Sequence, residues 1–542
     1  MQKIFTSILI TASLLSATQD SQAQITKAAD YKNNTSAPIG TFMGQSFREA
    51  GFSALAVIPG TGGKEFWTCS DRGVNVDCGS ANPSGCRPTY DKMFCFPSYA
   101  PKIHRVKIQG DSVLILKSIS IKRPDKTPAV GTLLSTGFGS TASEQASTDT
   151  VLDCANFSAK IAPKDPWSID CEAIAVDKSG NFWVAEENGP TIWKLDSNGV
   201  ALKRYSPYAN LTGAQPEDVL IDTSFKYRKN NRGFENMTVA PNGKVYAIIQ
   251  SPLLYPTKAI GDATRVHRMI EIDPSTNATR MFVYLNDGVI GAAGANQIRL
   301  PDWKLGDMTA INDSTFLVLE AAARGTTDIK RMYMINIAQA SVVTSGLYGG
   351  VTLEALVDSA GLAGASLKAV KKTLVMDLLA SGWDAALDKA EGVTIINDST
   401  IAFCNDNDFG QSCPLANGIP VATGNLSHIV VFNLKGADKI QNFVPAKPLS
   451  ISAVKETSTA VKLYPNPSAD LVTISLTLNK EVRVGISIMD MQGKAAMEPI
   501  VSNRNAGEQA VEFNISQLPN GIYFVRIATG DTVQTIKMVV MH

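Results

Sequence analysis

One short unit recurs along the chain and constrains its fold more than any other feature. Glu172-Ala-Ile-Ala-Val-Asp-Lys-Ser-Gly-Asn-Phe-Trp-Val-Ala-Glu186-Glu187 is echoed by Glu235-Asn-Met-Thr-Val-Ala-Pro-Asn-Gly-Lys-Val-Tyr-Ala-Ile-Ile-Gln250. A third copy runs from Glu391-Gly-Val-Thr-Ile to Asn405-Asp406. Weaker copies run from Gly306 to Glu320 and from Ser53 to Asp71, the last with a longer turn. Each unit is a short apolar strand, a turn of Lys-Ser-Gly or Pro-Asn-Gly type, and a second apolar strand, which reads as a β-hairpin. More strand-forming runs follow at 191–195, 201–205, 268–273 and 279–285. Two successive hairpins make a four-stranded antiparallel module, the unit of a β-propeller blade.

Residues 24–447 are therefore expected to form an all-β propeller. The units start 119, 63, 71 and 85 residues apart, at Ser53, Glu172, Glu235, Gly306 and Glu391. The first gap has room for an additional blade built from 103–108 and 113–121, so six blades are favoured over seven. An Ala-, Leu- and Lys-rich stretch, 353–387, has helical spacing and predicts a helical insertion. Phe66, Trp67, Phe182 and Trp183 alternate within strands and are assigned to packing between blades.

The repeat also aligns acidic residues. In a hairpin the start of the first strand lies beside the end of the second. Glu172 thus neighbours Glu186 and Glu187, Glu235 neighbours Gln250, and Glu391 neighbours Asn405 and Asp406. Asp71 and Glu320 end the second strands of their own units. Closing the blades into a ring gathers these groups around one mouth of the channel, where like charges repel unless a cation sits among them. Only four histidines occur in 542 residues, none beside another, so oxygen ligands and calcium are expected, ahead of magnesium or manganese. Arg72, Arg232 and Arg324 add positive charge suited to a phosphate group. The competing explanation is that strand-end acids brace turns. His104, His267 and His428 read as structural or surface histidines.

Composition narrows the remaining classes. Lys+Arg 50 balances Asp+Glu 50, which argues against nucleic-acid binding, since that affinity rests on accumulated positive charge. There is no P-loop, no nucleotide-binding glycine fingerprint and no Gly-x-Ser-x-Gly elbow. At the N-terminus Lys3, the apolar stretch 4–17 and Ser21-Gln-Ala23 read as a signal peptide, residues 1–23. No later run is long enough for a transmembrane segment. Eight cysteines in an exported chain predict disulfides, and the neighbour pairing is Cys69/Cys78, Cys86/Cys95, Cys154/Cys171 and Cys404/Cys413.

The stretches Asp170-Cys-Glu-Ala-Ile-Ala-Val, Asn231-Arg-Gly-Phe-Glu-Asn-Met-Thr, Ala390-Glu-Gly-Val-Thr-Ile and Asn405-Asp-Asn-Asp-Phe-Gly resemble the phytase-like family, described as "esterase-like activity of phytase". The resemblance covers about 52–434. It implies a phosphoester hydrolase in which Glu172, Glu235, Glu391, Asp406 and Asp408 hold the functional acidic positions, supported by Glu186, Glu320 and Arg324. Gly306-Asp307-Met308 departs from the pattern, because the leading Glu is missing.

After a linker, 448–461, the segment 462–542 predicts a small immunoglobulin-like β-sandwich. Tyr464-Pro-Asn-Pro, Asp490-Met-Gln-Gly and Leu518-Pro-Asn-Gly-Ile-Tyr closely resemble the type IX secretion C-terminal sorting domain. That implies a Bacteroidota-type envelope, the type IX machinery as a partner, transport across the outer membrane and release or surface attachment.

Taken together, the expected function is an exported phosphoester hydrolase acting on a small molecule. In it calcium ligands are drawn from Glu172, Glu186, Glu235, Glu320, Glu391, Asp406 and Asp408. Glu391 or Asp406 assists proton transfer, with Glu172, Glu235 and Arg324 also at the reaction centre. A calcium-dependent lactonase or carboxylic-ester hydrolase is the second expectation, and a glycan- or peptide-binding surface propeller the third.

Overall fold

A computed structural model describes residues 25–77, 91–140, 144–148, 160–412, 420–446, 461–478, 481–491, 494–529 and 532–542. The expected signal peptide and most of the linker lie outside the described residues. The chain divides into two compact units, Met1–Pro448 and Leu449–His542.

The first unit is a β-propeller, and each recurring sequence unit supplies the inner hairpin of one blade. Blade 1 comprises Ala56–Val57, Glu65–Cys69, Lys102–Gln109 and Ser112–Ser120. Blade 2 comprises Cys171–Val176, Phe182–Glu186, Thr191–Leu195 and Ala201–Ser206, with Asp218–Leu220 added at its edge. Blade 3 comprises Thr238–Val239, Val245–Ile248, Val266–Asp273 and Ala278–Leu285. Blade 4 comprises Lys304–Ala310, Thr315–Arg324, Thr327–Asn336 and Lys371–Asp377. Blade 5 comprises Lys389–Asn397, Thr400–Asp406, His428–Leu434 and, outermost, Ile25–Lys32.

The ring closes through the chain's own beginning. Ile25–Lys32 pairs antiparallel with His428–Leu434, from Ile25 opposite Leu434 to Lys32 opposite His428. The first and last described parts of the propeller thus share one sheet, which leaves no open seam between the last blade and the first.

Among the described residues five blades, not six, make this ring. The inner strand of blade 2 packs directly on blade 1, and that of blade 5 packs on blades 4 and 1. The runs 103–108 and 113–121, expected to found an extra blade, are the two outer strands of blade 1. Another four-stranded sheet does form from Asn75–Asp77, Asp91–Phe94, Gln145–Ser147 and Ile161–Ala162. Its strands are two to four residues long and one pairing is parallel, so it supplies no inner strand to the ring.

The expected helical insertion is also reduced. Only Glu354–Leu356 and Ser359–Gly364 are helical there, while Lys371–Asp377 is the outermost strand of blade 4. The β-branched and apolar residues of that stretch serve an edge strand, whose alternate side chains face solvent.

The core lies between blades. Trp67 of blade 1 meets Phe182 of blade 2 edge to face, with centroids 4.9 Å apart. Tyr246 of blade 3 and Phe316 of blade 4 lie 4.6 Å apart. Leu317, Leu319 and Met332 of blade 4 pack with Val393, Ile395 and Phe403 of blade 5. Each fully buried side chain of this kind contributes about 1.5–3 kcal/mol.

At the centre of the ring stands Asp307. Its Oδ1 accepts the Met308 N–H at 2.8 Å and its Oδ2 the Val393 N–H at 3.0 Å, and it also accepts from the N–H groups of Met237 and Leu55. These four residues hold the same place in four of the sequence units, so one carboxylate ties the inner strands of blades 1, 3, 4 and 5. Gly392 allows the close approach: a Cβ there would lie 2.5 Å from the Ala54 carbonyl carbon, the Leu55 nitrogen and Cys404 Sγ.

Three cysteines do not follow the neighbour pairing, while the expected Cys86/Cys95 pair rests on Cys86, which lies outside the described residues. Cys69, Cys171 and Cys404 are buried free thiols. Cys69 Sγ donates to Cys171 O at 3.4 Å and Cys404 Sγ to Phe52 O at 3.0 Å. Cys69 ends one strand of an inner hairpin, Cys171 begins another and Cys404 lies within a third, and the Cys69 and Cys404 thiols face the next blade. Cys78, Cys86, Cys154 and Cys413 lie outside the described residues.

The second unit is a β-sandwich. One sheet holds Lys462–Tyr464, Leu471–Leu478 and Gly507–Asn514; the other holds Ile500–Arg504, Val482–Met489, Gly521–Thr529 and Thr532–Val540. Val472, Ile474, Leu476, Ile486, Ile488, Val525 and Ile527 form its core, as strict alternation along each strand requires.

Replacing Asp307 with Ala leaves four buried N–H groups without their acceptor. At about 1–3 kcal/mol for a buried donor left unsatisfied, the variant should lose at least about 3 kcal/mol in urea unfolding of the propeller. A loss below about 1 kcal/mol would show that the ring does not depend on this carboxylate.

Candidate metal and substrate site

The inner hairpins of blades 2, 4 and 5 slip register at the same place in the repeat. The slips fall between Cys171 and Ala173, between Leu305 and Met308, and between Ala390 and Val393. Glu172, Asp307 and Glu391 therefore stand in β-bulges, which re-aim side chains at strand ends. Asp307 turns into the channel as described, and Glu172 and Glu391 remain at its mouth.

Two groups of carboxylate oxygens converge there. Asp71, Asp170 and Glu172 each offer an oxygen within 4.8 Å of the others, and so do Asp71, Asp406 and Asp408. Asp71 belongs to both. Asp408 folds back toward Asp406 because it and Phe409 take left-handed backbone conformations, φ +47° and +56°, and the Asp408 N–H donates to Asp406 Oδ1 at 2.8 Å. Gly233 seats the next segment closely: a Cβ there would lie 2.1 Å from Glu187 O.

Two cationic side chains enter the cluster. Arg72 Nη2 pairs with Asp170 Oδ2 and donates to Asn231 Oδ1 at 2.8 Å, while its Nη1 is buried without a partner. Lys389 Nζ lies 2.7 Å from Asp406 Oδ2 and 2.8 Å from Asp408 Oδ1. Asp170 Oδ1 and Glu391 Oε2 are also buried and unpartnered.

Burial and mutual repulsion push these carboxyls upward. Burial raises Glu172 well above the usual carboxylate range, and the charges of Asp71, Glu391, Glu187 and Glu235 add to it. Glu391 is raised well above its usual value by burial, with Lys389 opposing and Asp406 reinforcing the shift. Burial lifts Asp406 to about 7 against the pull of Lys389. Glu187 is lifted to about 8 by burial and then by Glu235.

Of the residues expected from the sequence, the structure brings Glu172, Glu235, Glu391, Asp406 and Asp408 into one electrostatic cluster. It places four elsewhere. Glu186 braces its own turn, its oxygens accepting from the Asn188 and Gly189 N–H groups at 2.7 Å each. Glu320 is fully buried against Lys372 and Tyr284 and accepts the Asp287 N–H at 2.7 Å, so its oxygens are already engaged. Arg324 lies 3.6 Å from Asp302, and Arg232 donates to Ser251 Oγ at 3.0 Å.

Sequence reasoning left Asp71 and Glu187 outside the ligand set and overlooked Asp170 and Lys389. Asp71 ends the second strand of the weakest repeat, which was the available signal. Asp170 and Lys389 each stand two residues before a leading Glu, a coincidence of two units that spacing alone does not single out.

Residues 48–409 match the Phytase-like family, "Esterase-like activity of phytase". The chain belongs to that family. Residues 462–541 match the secretion system C-terminal sorting domain, so the protein is secreted or attached to the outer surface, and the sorting domain implies contact with the type IX secretion machinery. Among the described residues no helix is long and apolar enough to cross a membrane. A relative in Arthroderma benhamiae, an uncharacterized secreted protein, is 32% identical over 103 residues, 16% of this chain and 20% of that protein. The chain thus matches about a fifth of that relative's length. A crystal structure of a protein from Lactobacillus plantarum covers 87% of this chain and 90% of its own at 7% identity, with a TM-score of 0.27. Virginiamycin B lyase from Staphylococcus aureus covers 72% and 96% at 10% identity, with a TM-score of 0.23.

The raised carboxyls predict a pH signature. Unfolded, these groups release their protons near pH 4–4.5; folded and cation-free, they keep them to about 7 for Asp406 and about 8 for Glu187. The native state then binds more protons across that window, so stability falls as pH rises from about 5 to 8. Added calcium should raise Tm, and the gain should be larger at pH 8 than at pH 6. A gain that shrinks with rising pH would remove these carboxylates from ion binding.

Proposed function

We propose that this protein is an exported phosphoester hydrolase whose reaction centre is the carboxylate mouth of the propeller, with calcium held among the carboxylates. The observation that carries the reading is the coexistence in one cluster of unpartnered carboxylate oxygens, Asp170 Oδ1 and Glu391 Oε2, with an unpartnered guanidinium nitrogen, Arg72 Nη1. Buried polar atoms without partners are uncommon in native proteins and call for a ligand of complementary charge. Here the oxygens call for a cation and the guanidinium calls for an anion. A phosphoester with its counter-cation answers both.

The donor set fits calcium, being entirely oxygen and drawn from several flexible carboxylates. Asp71, Asp170 and Glu172 would hold the ion on one side of the mouth, and Asp71, Asp406 and Asp408 on the other. Bound there, calcium supplies positive charge against the phosphoryl oxygens.

The chain's own residues supply the rest. Arg72 is fixed by Asp170 and Asn231, which aims Nη1 at a phosphoryl oxygen and suits the planar guanidinium to that contact. Lys389 holds Asp406 and Asp408 together against their repulsion. Burial pushes the Glu391 carboxyl up against the pull of Lys389, and this group takes a proton from an attacking water and returns one to the leaving oxygen.

Glu391→Gln and Asp406→Asn should keep the melting temperature within a few degrees yet lose about a hundredfold or more of calcium-dependent phosphate release. The purified protein would be assayed on a phosphomonoester, a phosphodiester and phytate, with calcium and after chelation. Competition by inorganic phosphate is expected. Unchanged turnover in both variants would take these residues out of the reaction, and absence of phosphate release from every substrate would overturn the phosphoester assignment.

A further inference from the structure

A second array of reactive groups lies on blade 1, built from residues the carboxylate mouth does not use. His104 and Ser118 sit opposite each other on adjacent strands, and His104 Nδ1 lies 2.9 Å from Ser118 Oγ. On the other side of the ring, His104 Nε2 lies 3.3 Å from Glu49 Oε1. His104 is fully buried and Glu49 is 6% exposed, whereas Ser118 is open to solvent.

The proton positions follow from elementary chemistry. His104 Nε2 stands 3.3 Å from the Glu49 carboxylate without hydrogen-bond geometry, and the negative charge beside it favours the proton on that nitrogen. Nδ1 then holds a lone pair, and the Ser118 hydroxyl donates to it. Glu49 is kept ionised: burial works to raise its pKa, but His104 and Lys102 outweigh burial and hold it at about 2. Lys102 Nζ and the Tyr99 hydroxyl both bond to this carboxylate, and Tyr99 is tied in turn to Ser70 Oγ at 2.8 Å. The acid is therefore fixed from three sides.

Ser118, Glu49 and Lys102 line a cavity of about 710 Å³ whose other walls include Pro38, Ile39 and Leu114. That volume accommodates a small ligand, and the walls mix apolar surface with a few convergent polar groups, as ligand sites do.

We propose that Ser118, His104 and Glu49 form a metal-independent acyl-transfer site on blade 1 that hydrolyses carboxylic esters, with Ser118 as the nucleophile. Ser118 Oγ attacks the ester carbonyl carbon, its proton passes to His104 Nδ1, and the carbonyl π pair moves onto oxygen, where Lys102 offers positive charge. Collapse breaks the carbon–alkoxy bond, and the departing alkoxide takes the proton from His104. Water then attacks the acylated serine by the same route, releasing the acid and restoring the hydroxyl. Glu49 acts as a positioning residue, holding the imidazole in the tautomer that leaves Nδ1 free.

The test treats the whole protein, freed of metal by a chelator, with a fluorophosphonate probe and with p-nitrophenyl butyrate. Mass spectrometry should place the label on Ser118, and butyrate release should persist in chelator. Ser118→Ala, at an exposed position, should keep its melting temperature while losing the label and at least a hundredfold of ester turnover. Glu49→Gln should lower kcat with KM little changed. An unlabelled Ser118 in folded protein, or undiminished turnover in Ser118→Ala, overturns the site. Ester turnover abolished by chelation also overturns it, by assigning the esters to the carboxylate mouth; phosphate release plays no part in the readout, so this site and that one fail separately.

Discussion

The ring depends on one buried acceptor meeting backbone N–H groups of separate blades. Asp307 collects donors from Leu55, Met237, Met308 and Val393, each at the third position of its sequence unit. Inner strands at the channel have no further strand beside them, so their donors need another partner. Register slips in blades 4 and 5 turn the Met308 and Val393 donors inward. The unit that departs from the leading-Glu pattern thus provides the part that its neighbours share.

The corner that gathers these donors also gathers charge. Glu172 and Glu391 stand in equivalent bulges, and Asp71, Asp406 and Asp408 end or follow the neighbouring strands. Concentrating carboxylates in a partly dry mouth opposes stability, as their raised pKa values record. Arg72 and Lys389 offset only part of it. The apolar packing between blades, from Trp67 on Phe182 to Tyr246 on Phe316, tolerates that local cost. Such separation of a strained rim from a well-packed body is what lets a propeller carry reactive chemistry.

Much of this was legible in the residues. The hairpin repeat predicted the five inner hairpins, alignment of its ends brought Glu172, Glu235, Glu391 and Asp406 to one mouth, and the family resemblance added Asp408. The blade count went astray because 103–108 and 113–121 read as an independent hairpin, whereas they complete the sheet begun at Ala56. Glu320 matched the pattern equally well, yet Lys372 and Tyr284 occupy its oxygens, and both belong to strands far away in sequence. Glu186 fits the pattern too, but the next turn folds its backbone donors onto the carboxylate. His104 carried no signal, since Glu49 lies 55 residues before it and Ser118 pairs with it only through the sheet.

Local pattern alone determined the strands, the turns, the sorting module and the corner at which acids recur, because alternation and turn chemistry act over a few residues. The tertiary structure decided which acids stay unpaired, which cysteines face one another's strands, and how many blades close the circle. Those outcomes rest on contacts between residues tens to hundreds of positions apart, such as Ile25 with Leu434 and Asp307 with Val393. No periodicity encodes them, because the partner of a side chain is set by where the ring closes.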